Sequence, residues 1–193
     1  PLAAKRLQIA IYQAKKLNIL GNNIFDSTFS FDLEIRLGAG AFICGEETAL
    51  MESIEGKRGL SRNKPPFPAK NGLFGKPTVI NNVETLANVN SIILYGPEKY
   101  KELGTEKSSG TKVFSISGKI KKGGIYEVPM GITLREIIFN LGGGMKDGSE
   151  FNFAFSGGPS GGVLKEEHLD VIVDFDSLIP YDSIMGSGGI IIF

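Results

Sequence analysis

The hydrophobic pattern of the first half of the chain predicts a helix, a strand and a second helix. Residues 29–37 alternate strictly between apolar and polar positions, which predicts a half-buried strand. A glycine loop follows at residues 38–45, and a helix is predicted from about residue 46 to 55. The loop therefore lies at a strand-to-helix junction, the place where α/β folds bind ligands. Residues 2–20 are predicted to be helical from the 3–4 spacing of Leu7, Ala10, Ile11, Ala14 and Leu17.

A long irregular segment separates this region from the next helix. Residues 56–77 are rich in proline and glycine, and loops of that length are uncommon unless they carry function or are disordered. A short strand at 78–80 and a helix over about 83–94 are predicted next. Residues 96–110 are polar and contain glycine, which indicates a linker.

The pattern after the linker predicts a different kind of unit. Strands are predicted at 111–118 and 125–128, with Gly123-Gly124 as a hairpin turn. A capping box, Thr133-Leu-Arg-Glu136, begins a helix that Gly142 ends. Further strands are predicted at 151–156, 170–174 and 189–193. We therefore expect a partial Rossmann-like α/β domain over residues 1–104 and an α+β domain of the β-grasp, ubiquitin-like kind over residues 105–193.

Composition and charge exclude several classes of function. Basic and acidic residues balance, 21 against 21, so no electrostatic footprint for nucleic acid or anionic lipid is present. One cysteine, Cys44, excludes a disulfide framework and any iron–sulfur or zinc site made by cysteines of this chain alone. A reducing, cytoplasmic setting fits this usage. No apolar run approaches the roughly 18 residues that span a membrane, so direct membrane insertion is not expected.

The glycine loop has the spacing of a phosphate-binding loop but the wrong chemistry after it. Gly40 and Gly45 are separated by four residues, yet Glu46 and Glu47 stand where Lys and Ser or Thr would follow. One interpretation is a tight turn with acids that complement the helix dipole. The other is a loop that approaches a flat cofactor, with carboxylates that accept hydrogen bonds from ribose hydroxyls.

Two further segments leave similar alternatives. Asn81-Asn82 precede a predicted helix, so Asn82 either caps the helix or helps its amides to hold a phosphate or ribityl hydroxyls. The segment from Lys64 to Pro68, KPPFP, is either a solvated proline-rich loop or a platform on which Phe67 stacks against adenine with Lys64 near a phosphate.

The order of these motifs along the chain is characteristic of one protein family. The runs GAGAFICGEETALMESIEGKRG, KPPFPA and GLFGKPTVINNVETLANV closely resemble the NADH-binding flavoprotein family of the 51 kDa-type subunit of respiratory complex I. The family includes diaphorase subunits of NAD- or NADP-linked hydrogenases and formate dehydrogenases. The resemblance continues through TKVFSISGKI, VPMGITLREIIF, SGGPSGG and MGSGGIIIF, and so covers essentially the whole chain.

The resemblance implies an oxidoreductase with FMN and NAD(H) as cofactors, NADP(H) being an open alternative. Hydride would pass from nicotinamide C4 to flavin N5, and electrons would leave singly to iron–sulfur subunits. Carried onto this chain, the resemblance implies that Asn81, Asn82 and Thr85 hold FMN, with Gly45 and Glu46 near it.

The resemblance also implies a dinucleotide site. Lys64 and Phe67 would face the dinucleotide, with Glu47 beside the adenosine ribose. Phe42 stands where family members usually have Tyr, so the aromatic ring is kept and the hydroxyl is lost.

The family's N-terminal glycine-rich loop and the cysteines of its 4Fe–4S domain are not in this sequence. We therefore expect an internal fragment, cytoplasmic or peripheral on a membrane complex, that binds FMN weakly or not at all by itself. The alternative function is a subunit-docking module that binds no flavin.

Overall fold

The computed structural model describes residues 2–158 and 161–193. The chain forms two compact units that meet in sequence between Asn81 and Asn82. Pro159 and Ser160 of the SGGPSGG motif lie outside the described residues. The predicted domain boundary at residue 104/105 stays a prediction.

The first unit contains two α-helices joined by long irregular segments. Helix α1 spans Leu2–Lys16 and helix α2 spans Glu47–Ile54. Helix α1 ends before residue 20 because Asn18 adopts a left-handed conformation with φ of 55°, a common way to end a helix. Short 3₁₀ turns lie at Ile24–Asp26, Phe42–Gly45 and Leu73–Gly75. The buried apolar residues of this unit include Leu20, Ile24, Ala49 and Met51.

The predicted strand at residues 29–37 is wrong. The only ladder contact in this segment is an isolated bridge between Gly21 and Phe31, and its apolar side chains are exposed, Phe29 to 62% and Leu37 to 79%. An alternating pattern becomes a strand only when a neighbouring strand accepts its backbone hydrogen bonds. Residues 2–81 as described contain no strand that does so. The predicted strand at 78–80 is absent for the same reason.

The second unit is built on an open sheet of five strands. The strands are β1 (Thr111–Gly118), β2 (Gly124–Pro129), β3 (Phe153–Ser156), β4 (Val163–Lys165) and β5 (Gly189–Ile192), in the spatial order β2-β1-β5-β3-β4. Strands β1 and β5 are parallel, and the other three pairs are antiparallel. A mixed α/β structure is thereby confirmed, and the sheet lies entirely after the predicted boundary.

One helical segment covers the buried face of this sheet. The capping box is confirmed, because the Glu136 carboxylate accepts from Thr133 N–H at 2.9 Å and the Thr133 hydroxyl accepts from Glu136 N–H at 3.2 Å. The segment continues as a π-helix over Glu136–Leu141. Its buried side chains pack on the inward positions of the strands, and the core comprises mainly Phe114, Ile116, Leu134, Ile137, Ile138, Ala154, Leu164, Val173, Leu178, Ile190 and Ile192.

The remaining predictions for this unit are partly wrong. Residues 170–174 form no strand but a single bridge, Ile172 with Thr133, because this segment runs beside the start of the covering helix. The sequence pattern does not predict strand β4, because the strand is only three residues long and follows a glycine cluster. The linker contains helix α4 (Pro97–Lys101), preceded by helix α3 (Val83–Tyr95).

We expect Leu134→Ala to lower the free energy of unfolding by about 2–5 kcal/mol, because it removes a fully buried side chain and leaves a cavity. Ile125→Ala is the matched control, since Ile125 is 76% exposed and its loss should cost less than about 0.5 kcal/mol. Urea denaturation followed by circular dichroism measures both. Equal unfolding midpoints for the two variants would contradict the assigned core.

Candidate functional site

The start of helix α2 explains the first of the two glutamates. The 3₁₀ turn Phe42–Gly45 leads directly into Glu46, which is the N-cap residue of the helix. Glu46 Oε2 accepts from the N–H groups of Thr48 and Ala49, each at 2.9 Å. Hydrogen bonds from the Thr48 hydroxyl and from these amides hold the pKa of Glu46 below its ordinary value. The carboxylate therefore satisfies helix-start amides that otherwise lack partners.

The second glutamate forms an ion pair with the lysine of the proline-rich segment. Lys64 Nζ donates to Glu47 Oε1 and lies 3.6 Å from Glu46 Oε1. The hydrogen bond to Glu47 raises the pKa of Lys64, so the ammonium stays charged at neutral pH. Both side chains of the Glu47–Lys64 pair are about one-third exposed. The structure thus brings Glu46, Glu47 and Lys64 together, at a place that a ligand can reach.

The proline-rich segment is held against α2 by contacts that the sequence analysis missed. The buried Thr48 hydroxyl accepts from Arg62 N–H at 2.8 Å. The Arg62 guanidinium pairs with Glu52, and its Nη2 lies 3.4 Å from both oxygens of Glu55. Glu55 also accepts from Phe74 N–H at 2.7 Å. The sequence does place Glu52 and Glu55 three residues apart, on one side of the helix, where both can bind the same cation.

Two aromatic residues of the predicted site present their rings to solvent. Phe67 is 60% exposed and lines a shallow cleft of about 460 Å³ with Pro65, Pro66, Ala69 and Lys70. Phe42 is 76% exposed. Rings of this kind are available for stacking, since no core packing commits them.

The predicted FMN residues lie at the start of helix α3. Asn82 is its N-cap, and its Oδ1 accepts from Glu84 N–H at 2.9 Å, so the capping interpretation is confirmed. Asn82 and Thr85 are exposed, as is Asn81, the last residue of the first unit. A cleft of about 340 Å³ beside this helix start is lined by Asn82, Glu84, Thr85, Lys112 and Met130, among others. Helix-start amides, an exposed Asn and an exposed Thr around such a cleft form a polar, anion-compatible surface.

Glu84 and the buried Lys112 form an ion pair that the sequence analysis also missed. Lys112 is only 6% exposed and occupies the inward phase of strand β1, in register with the core residues Phe114 and Ile116. Its ammonium donates to Glu84 Oε2, and Val113 N–H donates to Glu84 Oε1 at 2.9 Å. Burial alone would raise the pKa of Glu84, but these hydrogen bonds hold it below its ordinary value. The sequence signal was Lys112 itself, which stands at a position of the alternating pattern where the strand otherwise has buried apolar residues.

The described residues include neither a cluster of metal-ligating side chains nor a helix of membrane-spanning length and apolarity. Across residues 2–158 and 161–193, no group of His, Cys, Asp and Glu side chains is arranged to hold a metal ion. No helix of the same residues is long and apolar enough to cross a bilayer.

The comparisons with known proteins agree with the motifs. Residues 1–91 match the family described as the Nuo51 FMN-binding domain, and residues 113–164 match the SLBB domain. The NADP-reducing hydrogenase subunit HndC of Solidesulfovibrio fructosivorans is 55% identical over 100% of this chain and 39% of its own length. An NADH-quinone oxidoreductase subunit of Rhizobium meliloti is 46% identical over 98% of this chain and 45% of its own length.

A solved structure shares the fold. The crystal structure of an NAD+-reducing NiFe hydrogenase in the air-oxidized state matches with a TM-score of 0.74 and 39% identity, over 84% of this chain and 27% of that one.

These matches define a flavoprotein class in which an FMN-binding domain is followed by an SLBB domain. Residues 1–91 belong to the Nuo51 FMN-binding domain family, and the chain is similar over nearly its whole length to subunits named for NADP-reducing hydrogenase and NADH-quinone oxidoreductase. It spans less than half the length of these curated relatives, 39% of one and 45% of the other.

We expect Glu46→Gln to weaken the protection of the Thr48 and Ala49 amides from hydrogen exchange by about fivefold at pH 7, equivalent to about 1 kcal/mol of capping. Because the pKa of Glu46 is lowered on folding, its stabilisation is present above the ordinary value of 4.5 and is lost as pH falls through the folded pKa. The difference between wild type and variant should therefore shrink below about pH 4.5. Glu106→Gln, at an exposed loop position, is the control. A difference that stays constant between pH 7 and pH 3 would contradict this role.

Proposed function

We propose that the chain is the FMN- and NAD(H)-binding part of an electron-transfer flavoprotein subunit. The subunit oxidises NAD(P)H, or reduces NAD(P)+, by hydride exchange with FMN, and passes electrons to iron–sulfur clusters. The observation that carries the proposal is the partly exposed Glu47–Lys64 pair beside a capped glycine turn, in a segment that matches an FMN-binding domain. The docking-module alternative has no observation in its favour.

We assign residues 1–104 to the C-terminal half of a Rossmann-like FMN/NAD(H)-binding domain and residues 105–193 to a β-grasp domain. The strand order β2-β1-β5-β3-β4, with parallel β1 and β5 and a covering helix between β2 and β3 in sequence, supports the β-grasp assignment. The match of residues 1–91 to an FMN-binding domain supports the first assignment.

The start of α3 fits a flavin phosphate and ribityl chain. Asn81, Asn82 and Thr85 are exposed polar side chains around the positive end of a 13-residue helix. We assign these three residues to FMN binding, with Gly45 and Glu46 near the flavin. FMN, when bound, supplies the exchange between two-electron hydride transfer and one-electron transfer. The chain's own task is to hold and orient the cofactor.

The Glu47–Lys64 pair and Phe67 fit the adenosine half of a dinucleotide. Phe67 offers an exposed ring for stacking on adenine, and Glu47 offers a carboxylate to ribose hydroxyls. Phe42 supplies a second exposed ring near the glycine turn. Lys64 partly neutralises Glu47, so the site can favour NADH without excluding NADPH. One relative's name specifies NADP and another's specifies NADH.

The partners follow from the chemistry of electron transfer. This chain has one cysteine, so a 4Fe–4S cluster that accepts electrons needs ligands from elsewhere. The relatives are named as subunits, which supports assembly with other chains. We propose that iron–sulfur electron-transfer subunits are the partners, in a cytoplasmic complex or one peripheral to the membrane.

The proposed function is tested on the complete gene product that contains these residues. It should bind FMN stoichiometrically, and anaerobic NADH should bleach the visible flavin absorption. Asn82→Ala combined with Thr85→Ala should weaken FMN binding by at least about tenfold, since two contacts worth about 1 kcal/mol each are lost. Asn90→Ala, on the exposed surface of the same helix, is the control. A well-folded wild-type protein that binds no FMN would overturn the proposal.

We expect Glu47→Gln to raise the NADPH/NADH ratio of kcat/KM by about tenfold. A carboxylate about 4 Å from a 2′-phosphate costs on the order of 1 kcal/mol per charge pair in water and more in a cleft. Removing it also releases Lys64 to meet the phosphate. Lys64→Gln should lower the same ratio, and Glu34→Gln, at an exposed residue outside the site, should leave it unchanged. If the ratio does not move in Glu47→Gln, Glu47 does not lie at the ribose.

A further inference from the structure

The helix start that carries Asn82 and Thr85 is joined to strand β1 by hydrogen bonds of the Glu84 side chain. Its backbone N–H donates to Asn82 Oδ1 at 2.9 Å, while its carboxylate reaches strand β1. Glu84 therefore connects the cap residue of α3 to the sheet. Hydrogen bonds of this one residue therefore link Asn82 to strand β1.

The carboxylate of Glu84 lies beside strand β1 just beyond the point where the neighbouring strand β5 begins. Ser115 N–H donates to Gly188 O at 2.9 Å, and β5 begins opposite Ser115, at Gly189. Val113 N–H points to the same side of β1, since residues two apart in a strand share their direction. No residue of β5 pairs with Val113, and Glu84 Oε1 accepts its N–H instead. The side chain thus extends the hydrogen bonding of β1 past the end of β5.

Lys112 fixes the second oxygen of the same carboxylate. Its side chain is almost fully buried, and its ammonium donates to Glu84 Oε2. A buried ammonium is costly without a paired anion, so Lys112 and Glu84 hold each other in one arrangement. Both oxygens of Glu84 are thereby committed, one to a buried cation and one to a backbone amide.

We propose that Glu84 and Lys112 are positioning residues for the flavin: the SLBB-domain strand sets the place of Asn82 and Thr85 through this pair. The inference rests on the proposed function, because it assumes that these two residues contact FMN. It assigns the sheet of the second unit a part in flavin binding that requires no contact between the sheet and the cofactor. Both residues line the cleft beside Asn82 and Thr85, but their charged groups are committed to each other and to Val113 N–H, so they act through the start of α3 rather than by holding the ligand.

The test uses the complete gene product with Lys112→Met, Glu84→Gln and the double variant. Each single variant should raise the Kd for FMN by about tenfold, measured by quenching of flavin fluorescence. The Kd of the double variant should be no higher than that of the single variant with the higher Kd, because the two residues act as one unit. Lys112→Arg should restore binding to within about threefold. Lys121→Met removes an exposed lysine and is the control.

Two readouts separate positioning from a purely structural role. Lys64 and Phe67 are assigned to NADH binding. The KM for NADH of the Glu84 and Lys112 variants, measured when they are saturated with FMN, should therefore stay within about twofold of the wild-type value. Melting of the flavin-free variants reports stability independently. Unchanged FMN affinity in variants of lowered melting temperature would overturn the positioning proposal alone. A folded wild-type protein that binds no FMN would overturn both this inference and the proposed function.

Discussion

The unpaired amides at helix starts are the constraint on which both candidate binding segments depend. Each helix presents N–H groups that have no partner within the helix, and a side chain or a ligand must satisfy them. In this chain Glu46 does so for α2 and Asn82 for α3. Each cap is adjacent to residues that we assign to a cofactor. The positive end of each helix is thus partly satisfied by the protein and partly exposed to a ligand.

Carboxylates on helix α2 and at its C-cap determine where the proline-rich segment lies. Glu52 and Glu55 hold Arg62, and with Thr48 they keep the proline-rich segment beside α2. This arrangement brings Lys64 to Glu47 although 17 residues separate them in sequence. The function that we propose for the Glu47–Lys64 pair therefore depends on charged contacts that do not touch a ligand themselves.

The contacts of Glu46 and Glu47 explain why two acidic residues follow the glycine loop. One carboxylate caps the helix, and the other is neutralised by Lys64, so neither presents a bare negative charge to a ligand. A bound dinucleotide would meet a balanced pair whose two members have opposite preferences for a 2′-phosphate. Such a pair allows small changes in geometry to shift the choice between NADH and NADPH.

The sequence by itself determined the local features, namely helices α1 to α3, the hairpin, the capping box and the order of the site motifs. These depend on interactions within a few residues, or on apolar periodicity that points to one core. Tertiary structure alone decided whether residues 29–37 form a strand, because a strand exists only with a hydrogen-bonding neighbour. It alone decided that Lys112 lies buried against Glu84, 28 residues away. Pairing between distant charges leaves no period in the sequence, and only the packing of α3 on β1 brings these two together.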